Sequence, residues 1–181
     1  MTSKTSPERY NHSSVALHWL MLALFIAVYA SIDLRELFAK GSTPRDTLKN
    51  LHFMLGLLMF ALVWLRLALR IKYPVPAIVP PPPAWQEKSA RLAHLALYAL
   101  MIGMPLLGWL LLSAAGKPIP FFGLELPALI GPNKALASQI KEVHEFVGTL
   151  GYFLIGGHAA AALFHHYIQR DNTLLRMRLF S

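Results

Sequence analysis

Apolar residues in this chain gather into four long runs, separated by polar, proline-rich or mixed-charge connections. The first run covers residues 15–32 and is interrupted only by His18 and Ser31. The second begins at Leu51, stays apolar through Leu65, and closes at Arg66 and Arg70. The third covers 92–112 and contains His94 and Pro105; the fourth covers 146–167. A helix needs about 20 apolar residues to cross a hydrocarbon layer ~30 Å thick, so each run predicts a membrane-spanning helix. The second is short, but arginines near a helix end can extend their side chains to the interface. The pattern therefore predicts helices over 14–37, 49–70, 88–112 and 142–168. Together they form an all-α, integral membrane four-helix bundle, a single domain spanning residues 1–181. Ser13 or Ser14 is the expected N-cap of the first helix. That first apolar run is 18 residues long, with no clear small-residue cleavage site after it, so it reads as a retained helix rather than a signal peptide.

Two connections stand out. Residues 73–85 hold six prolines, including Pro80 to Pro83 in succession. Such a run favours extended polyproline II and excludes helix or central strand. It reads as a stiff spacer or, less simply, as a docking segment for a partner. The stretch 113–141 is longer than a usual helix connection and rather apolar. It is expected either to lie on the membrane surface or to cover one end of the bundle.

The polar residues inside the runs carry the chemistry. Ionisable side chains within a membrane are rare and usually functional, which singles out His18, His52, His94, His144 and His158. On the fourth helix His144 and His158 are 14 residues apart. That is about 3.9 turns, so both leave nearly the same face, roughly 21 Å apart along the axis. Gly148, Gly151, Gly156, Gly157 and Ala159 to Ala162 strip bulk from that helix. Something wide and flat can approach it, and haem held between two imidazoles is the ligand class this implies. His52 with Gly56 repeats the spacing of His144 with Gly148, and both lie toward the same end of their helices. His52 and His144 therefore match at the outer level. His158 needs an inner partner, and both His18 and His94 qualify by depth. The rival ligand is zinc, which prefers four side chains converging on one point; two levels about 21 Å apart favour two haems instead. His12 precedes the first helix and reads as solvated. His165 and His166, at the inner end of the fourth, are either interfacial anchors or polar groups at a quinone site.

Composition narrows the class further. The chain is 55% apolar and 14% charged, unlike an ordinary soluble domain. It has no cysteine, which excludes disulfides, iron–sulfur clusters and covalent c-type haem. The net charge of +8 points to no nucleic acid, because the 17 basic residues divide between two sides of a bilayer. Ten, Lys4, Arg9, Arg66, Arg70, Lys72, Lys88, Arg91, Arg170, Arg176 and Arg178, fall on the side of the termini. Seven, Arg35, Lys40, Arg45, Lys49, Lys117, Lys134 and Lys141, fall on the other. The excess of basic residues on the cytoplasmic side of membrane proteins then places both termini in the cytoplasm.

Several segments resemble the bacterial cytochrome b561 family of small di-haem membrane cytochromes. They are Leu17-His18-Trp19, Leu51-His52, Arg70-Ile71-Lys72-Tyr73-Pro74, the run from Gly151 to Tyr167, and Asp171 to Met177. The resemblance implies two non-covalent b haems, with axial ligands His18 and His158 at the inner site and His52 and His144 at the outer. It implies a multi-pass protein of the bacterial inner membrane that passes single electrons. Family members that oxidise superoxide and reduce ubiquinone make superoxide the expected donor and ubiquinone the acceptor, with His165 or His166 as proton donor near the inner haem. Two rivals stand beside this reading. One is a haem-bearing subunit relaying electrons between quinone and a separate dehydrogenase or hydrogenase, and the other a histidine-based metal-binding membrane protein.

Overall fold

A computed structural model describes residues 9–179; Lys4, counted above among the basic residues, lies outside them. Four helices make up the bundle: α1 His12–Leu34, α2 Thr43–Lys72, α3 Ala84–Ala114 and α4 Lys134–Phe164. All four are long and apolar enough to cross a membrane, and the fold is an all-α membrane four-helix bundle. Close helix packing follows chain order, α1 on α2, α2 on α3 and α3 on α4. A core of Leu17, Met21, Leu24, Met59, Val63, Leu97 and Met101 fills the middle of the bundle. It is supplied by α1, α2 and α3, with Leu154 and Ile155 of α4 packed against its edge.

The helices are longer than their apolar runs, for reasons visible at their starts. Asn11, rather than Ser13 or Ser14, caps α1: its side chain accepts from the Ser13 N–H at 3.0 Å, satisfying a first-turn donor. α2 begins six residues before the expected start, with Pro44 in its first turn, where a fixed φ suits the helix and no amide bond is lost. α4 begins eight residues early, capped by the Asn133 side chain, which accepts from the Leu136 N–H at 3.0 Å. Apolar counting marks the part of a helix inside hydrocarbon; these polar first turns project beyond it. With 31 residues, α4 is about 46 Å long.

The outer connection folds over the end of the bundle. It contains a short hairpin, β1 Pro120–Phe121 paired antiparallel with β2 Leu124–Glu125, which the all-α expectation did not include. Phe122 and Gly123 both take positive φ, +47° and +87°, the geometry of a two-residue turn whose twist matches the strands. Ile119 is buried against Leu57 and Leu112, and the Trp109 indole N–H donates to the Pro127 carbonyl at 3.0 Å. Of the two expectations, the covering loop is the one found.

At the opposite end the proline-rich connection is tied down. The Val79 N–H donates to Asn172 Oδ1 at 2.8 Å, the Asn172 N–H returns a bond to the Val79 carbonyl at 3.1 Å, and Arg176 donates to the Pro76 carbonyl. The segment is held against the C-terminal stretch, as a stiff connection would be. The Tyr10 N–H donates to the Arg176 carbonyl at 3.2 Å, so the two ends of the described chain meet on one side of the bundle.

A glycine on α4 makes room for a side chain of α1. The Tyr29 hydroxyl occupies the place where a side chain at Gly151 would begin, and donates to the Gly148 carbonyl at 2.9 Å. Gly151→Ala must displace Tyr29, at an overpacking cost of roughly 1–3 kcal/mol. Thermal unfolding in detergent should show a lowered Tm, and adding Tyr29→Phe, which removes the hydroxyl, should restore most of it. An unchanged Tm in the single variant would contradict this packing.

Candidate functional site

The register of α4 places His144 and His158 at two levels, and other helices bring a histidine to each. At the outer level the rings of His52 (α2) and His144 (α4) have centroids 6.3 Å apart and planes at 78°. At the inner level His18 (α1) and His158 (α4) have centroids 6.3 Å apart and planes at 76°. His94 (α3) also reaches the inner level, but its centroid is 5.4 Å from that of His158. The difference decides what fits between each pair. Metal–imidazole bonds of about 2 Å, with about 1.15 Å from nitrogen to ring centre, place two axial imidazoles roughly 6.3 Å apart across one metal ion. His52–His144 and His18–His158 have that separation, and the His94 and His158 ring centres are closer together.

Local bonding prepares the outer pair. His52 Nδ1 lies 2.9 Å from the Val28 carbonyl. A carbonyl only accepts, so Nδ1 carries the hydrogen and Nε2 keeps its lone pair, the form a metal ligand needs. His144 Nδ1 is buried without a partner. A Cβ at Gly108 would stand 3.4 Å from His144 Cε1, so the missing side chain leaves that ring its room. A cavity of about 490 Å³, lined by both histidines, Gly56, Gly108 and Gly148, occupies the outer half of the bundle. Its volume lies within the range of cofactor sites. A Cβ at Gly56 would meet nothing within 4 Å, so it would intrude only on that space. The chemistry and spacing of these donors fit a b haem. Among the described residues no three His, Cys, Asp or Glu side chains converge as a metal-binding group, so the four-ligand geometry of structural zinc is not built here.

The cavity reaches the outer surface between Arg35, Lys49, Lys117 and Lys141, with Asp33, Glu36 and Glu145 beside them. Lys49 pairs with Asp46 and Lys141 with Glu145. Exposed Lys117 has no ion pair among the described residues. Arg45 and Lys134 do not line the cavity; Arg45 is held by both carboxylate oxygens of Glu36. Sequence reasoning missed Tyr152, whose hydroxyl donates to Asp33 Oδ2 at 2.6 Å, and Tyr29, whose ring lies 4.2 Å from it. Both line the same cavity. Neither stands out in sequence, because each meets its partner on a different helix.

The remaining histidines separate. His12 is exposed at the first residue of α1. His166 lies edge-on to Tyr167, with centroids 4.7 Å apart. His165 begins a π-helical turn, His165–Gln169, and its Nδ1 lies 2.5 Å from Asp171 Oδ2.

Comparison with known proteins identifies the family. The family model for prokaryotic cytochrome b561 matches residues 9–178. The chain is 45% identical over 170 residues to cytochrome b561 homolog 1 of Escherichia coli strain K12, covering 93% of this chain and 96% of that one. It is 36% identical over 170 residues to the probable superoxide oxidase CybB of Yersinia pestis, covering 94% and 96%. It is 30% identical over 178 residues to cytochrome b561 homolog 2 of the same Escherichia coli strain, covering 98% and 95%.

Proposed function

This chain belongs to the prokaryotic cytochrome b561 family, a bacterial membrane protein of electron transfer with b-type haem, and on that premise we propose that it oxidises superoxide and reduces ubiquinone. The reading assigns two haems per chain, held by His52 and His144 at the outer level and by His18 and His158 at the inner. The 6.3 Å spacing of both imidazole pairs is the observation that supports it most directly. The name of the Yersinia pestis relative supports superoxide as the donor. Bound between these imidazoles, haem supplies one-electron chemistry, its potential set by ligand, burial and hydrogen bonding.

The chain's own residues do the rest. The Val28 carbonyl fixes the tautomer of His52. The central core of Leu17, Met21, Leu24, Met59 and Val63 separates the two levels and keeps water from joining them. Lys117, beside the outer cavity, draws a small anion toward it. The covered inner end, with His165, is the quinone side. Both termini face the cytoplasm of a bacterial inner membrane, in keeping with ten basic residues on their side against seven.

A superoxide pulse in a stopped-flow instrument tests the activity. Haem absorbance should report reduction faster than spontaneous superoxide decay, and ubiquinone should reverse it. Raising ionic strength should slow the reaction, because charge acts over a Debye length of only ~8 Å at physiological salt. Lys117→Gln should slow it by about two- to threefold at low salt, whereas Lys134→Gln, outside the cavity lining, should not. Reduction no faster than background would remove the superoxide reading and leave a relay subunit for another enzyme.

A further inference from the structure

The second helix carries an arginine where the fourth carries its inner histidine. His52 and Arg66 are 14 residues apart on α2, the separation of His144 and His158 on α4. That is about 3.9 turns, and Arg70, 18 residues from His52, completes about five. His52, Arg66 and Arg70 therefore leave nearly one face of α2. Both helices run inward from the outer end, and His52 meets His144 at the outer level. The same step along each helix then brings Arg66 to the depth of His158. Its guanidinium is near enough for the charge to act on His18, His94 and His158, and that of Arg70 on His94. Arg66 is half-buried and Arg70 exposed. Among the described residues neither forms an ion pair; the inner-side carboxylates Glu87 and Asp171 face Arg91 and His165 instead. At the outer end Arg35 and Arg45 pair with Glu36, Lys49 with Asp46 and Lys141 with Glu145. A charge held away from water needs a partner, and the chain supplies none to Arg66.

We propose that Arg66, assisted by Arg70, binds the carboxylates of the inner haem. The inference rests on the two-haem reading above. The rim of a b haem carries two ionised carboxylates, which a hydrocarbon interior disfavours as it does an unpaired guanidinium. A guanidinium presents a planar fork of N–H donors that takes a carboxylate through two parallel bonds, so each charge supplies what the other lacks. The pairing also orients the haem about the axis between His18 and His158, a rotation that two imidazoles alone leave free. Positive charge beside the iron favours its reduced form, because reduction removes one positive charge there. The two arginines thereby draw the electron toward the inner level.

The experiment uses the purified holoprotein in detergent, after its haem content has been counted. Excess apomyoglobin captures haem as it leaves, and each level is followed by its own absorbance and electron paramagnetic resonance signals. Arg66→Gln should speed loss of the inner haem by about tenfold to a hundredfold. A redox titration of the same variant should show the inner haem harder to reduce and the outer haem unchanged. Arg66→Lys keeps the charge but not the fork, so the inner haem should leave faster while its potential stays near that of wild type. Arg70→Gln should act in the same direction as Arg66→Gln, and less. Arg91→Gln, whose side chain is 81% exposed and paired with Glu87 at 3.5 Å, should match wild type. Wild-type loss rates and potentials in a folded Arg66→Gln, Arg70→Gln double variant would overturn the proposal and leave both guanidiniums to the lipid interface. Where Arg66→Gln does not fold, Arg66→Lys carries the test, and inner-haem loss at the wild-type rate would overturn it. Equal acceleration at both levels would also overturn it, since a loosened bundle rather than a missing partner would then be the cause. Wild-type protein holding a single haem would remove the two-haem reading and this proposal with it.

Discussion

Replacing His144 by alanine should lower haem content from two per chain to one and abolish rapid reduction by superoxide, while the inner haem keeps its low-spin spectrum. His158→Ala should do the reverse, leaving the outer haem in place with no route to quinone. The separation follows from the fold. The two imidazole pairs share α4 but little else: the outer pair is completed by α2 and the inner by α1. The core of Leu17, Met21, Leu24, Met59, Val63, Leu97 and Met101 lies between them, so emptying one level need not open the other. A pyridine haemochrome assay gives the stoichiometry, and low-temperature electron paramagnetic resonance distinguishes the sites. His144→Gly supplemented with free imidazole supplies a control against misfolding, because restored outer-haem absorbance shows that only the ligand was missing. If a folded His52→Ala or His144→Ala protein kept both bis-histidine signals, the outer assignment would be wrong.

The second large effect contrasts two histidines at the inner level. His18→Ala should remove the inner haem, whereas His94→Ala should retain both haems and shift the inner spectrum only slightly. Depth along the helices does not separate the two residues, and the prediction rests on ring spacing: the His18 and His158 centroids lie 6.3 Å apart, the separation expected of two imidazoles on one metal ion, and those of His94 and His158 lie 5.4 Å apart. The contact of His94 with His158 is edge-on, with planes at 65°, a packing arrangement aromatic rings favour. Haem counting on the two purified variants decides the matter: one haem in His94→Ala and two in His18→Ala would exchange their roles.

Much of this architecture was legible in the chain before any coordinates. Four apolar runs specify four membrane helices because no lipid-exposed backbone can leave its N–H and C=O groups unpaired. The period of the α-helix alone puts His144 and His158 on one face, at two depths. The pairing of His52 with His144 followed from depth, since a histidine near the outer end of one helix can meet only partners at that height. Polar helix starts were less legible. Asn11, Pro44 and Asn133 begin their helices outside the hydrocarbon, where hydropathy carries no signal and capping chemistry decides.

Residues distant in sequence meet only through the tertiary structure, and helix periodicity says little about how closely they approach. Depth and periodicity left His18 and His94 both open; how α1 and α3 pack around α4 sets their ring separations from His158, which differ by about an ångström. Gly108 reads as one more small residue until α3 and α4 are packed and the His144 ring fills the space beside it. Asp171 reads as a polar residue past a helix end until the left-handed turn at Arg170 folds it onto His165. Hydrophobic periodicity determined which elements form and how deep each histidine lies, because both are properties of a single helix in a bilayer. Which imidazole faces which, at what distance and with what partner on its second nitrogen, depends on the packing of several helices together, and only the tertiary structure decided it.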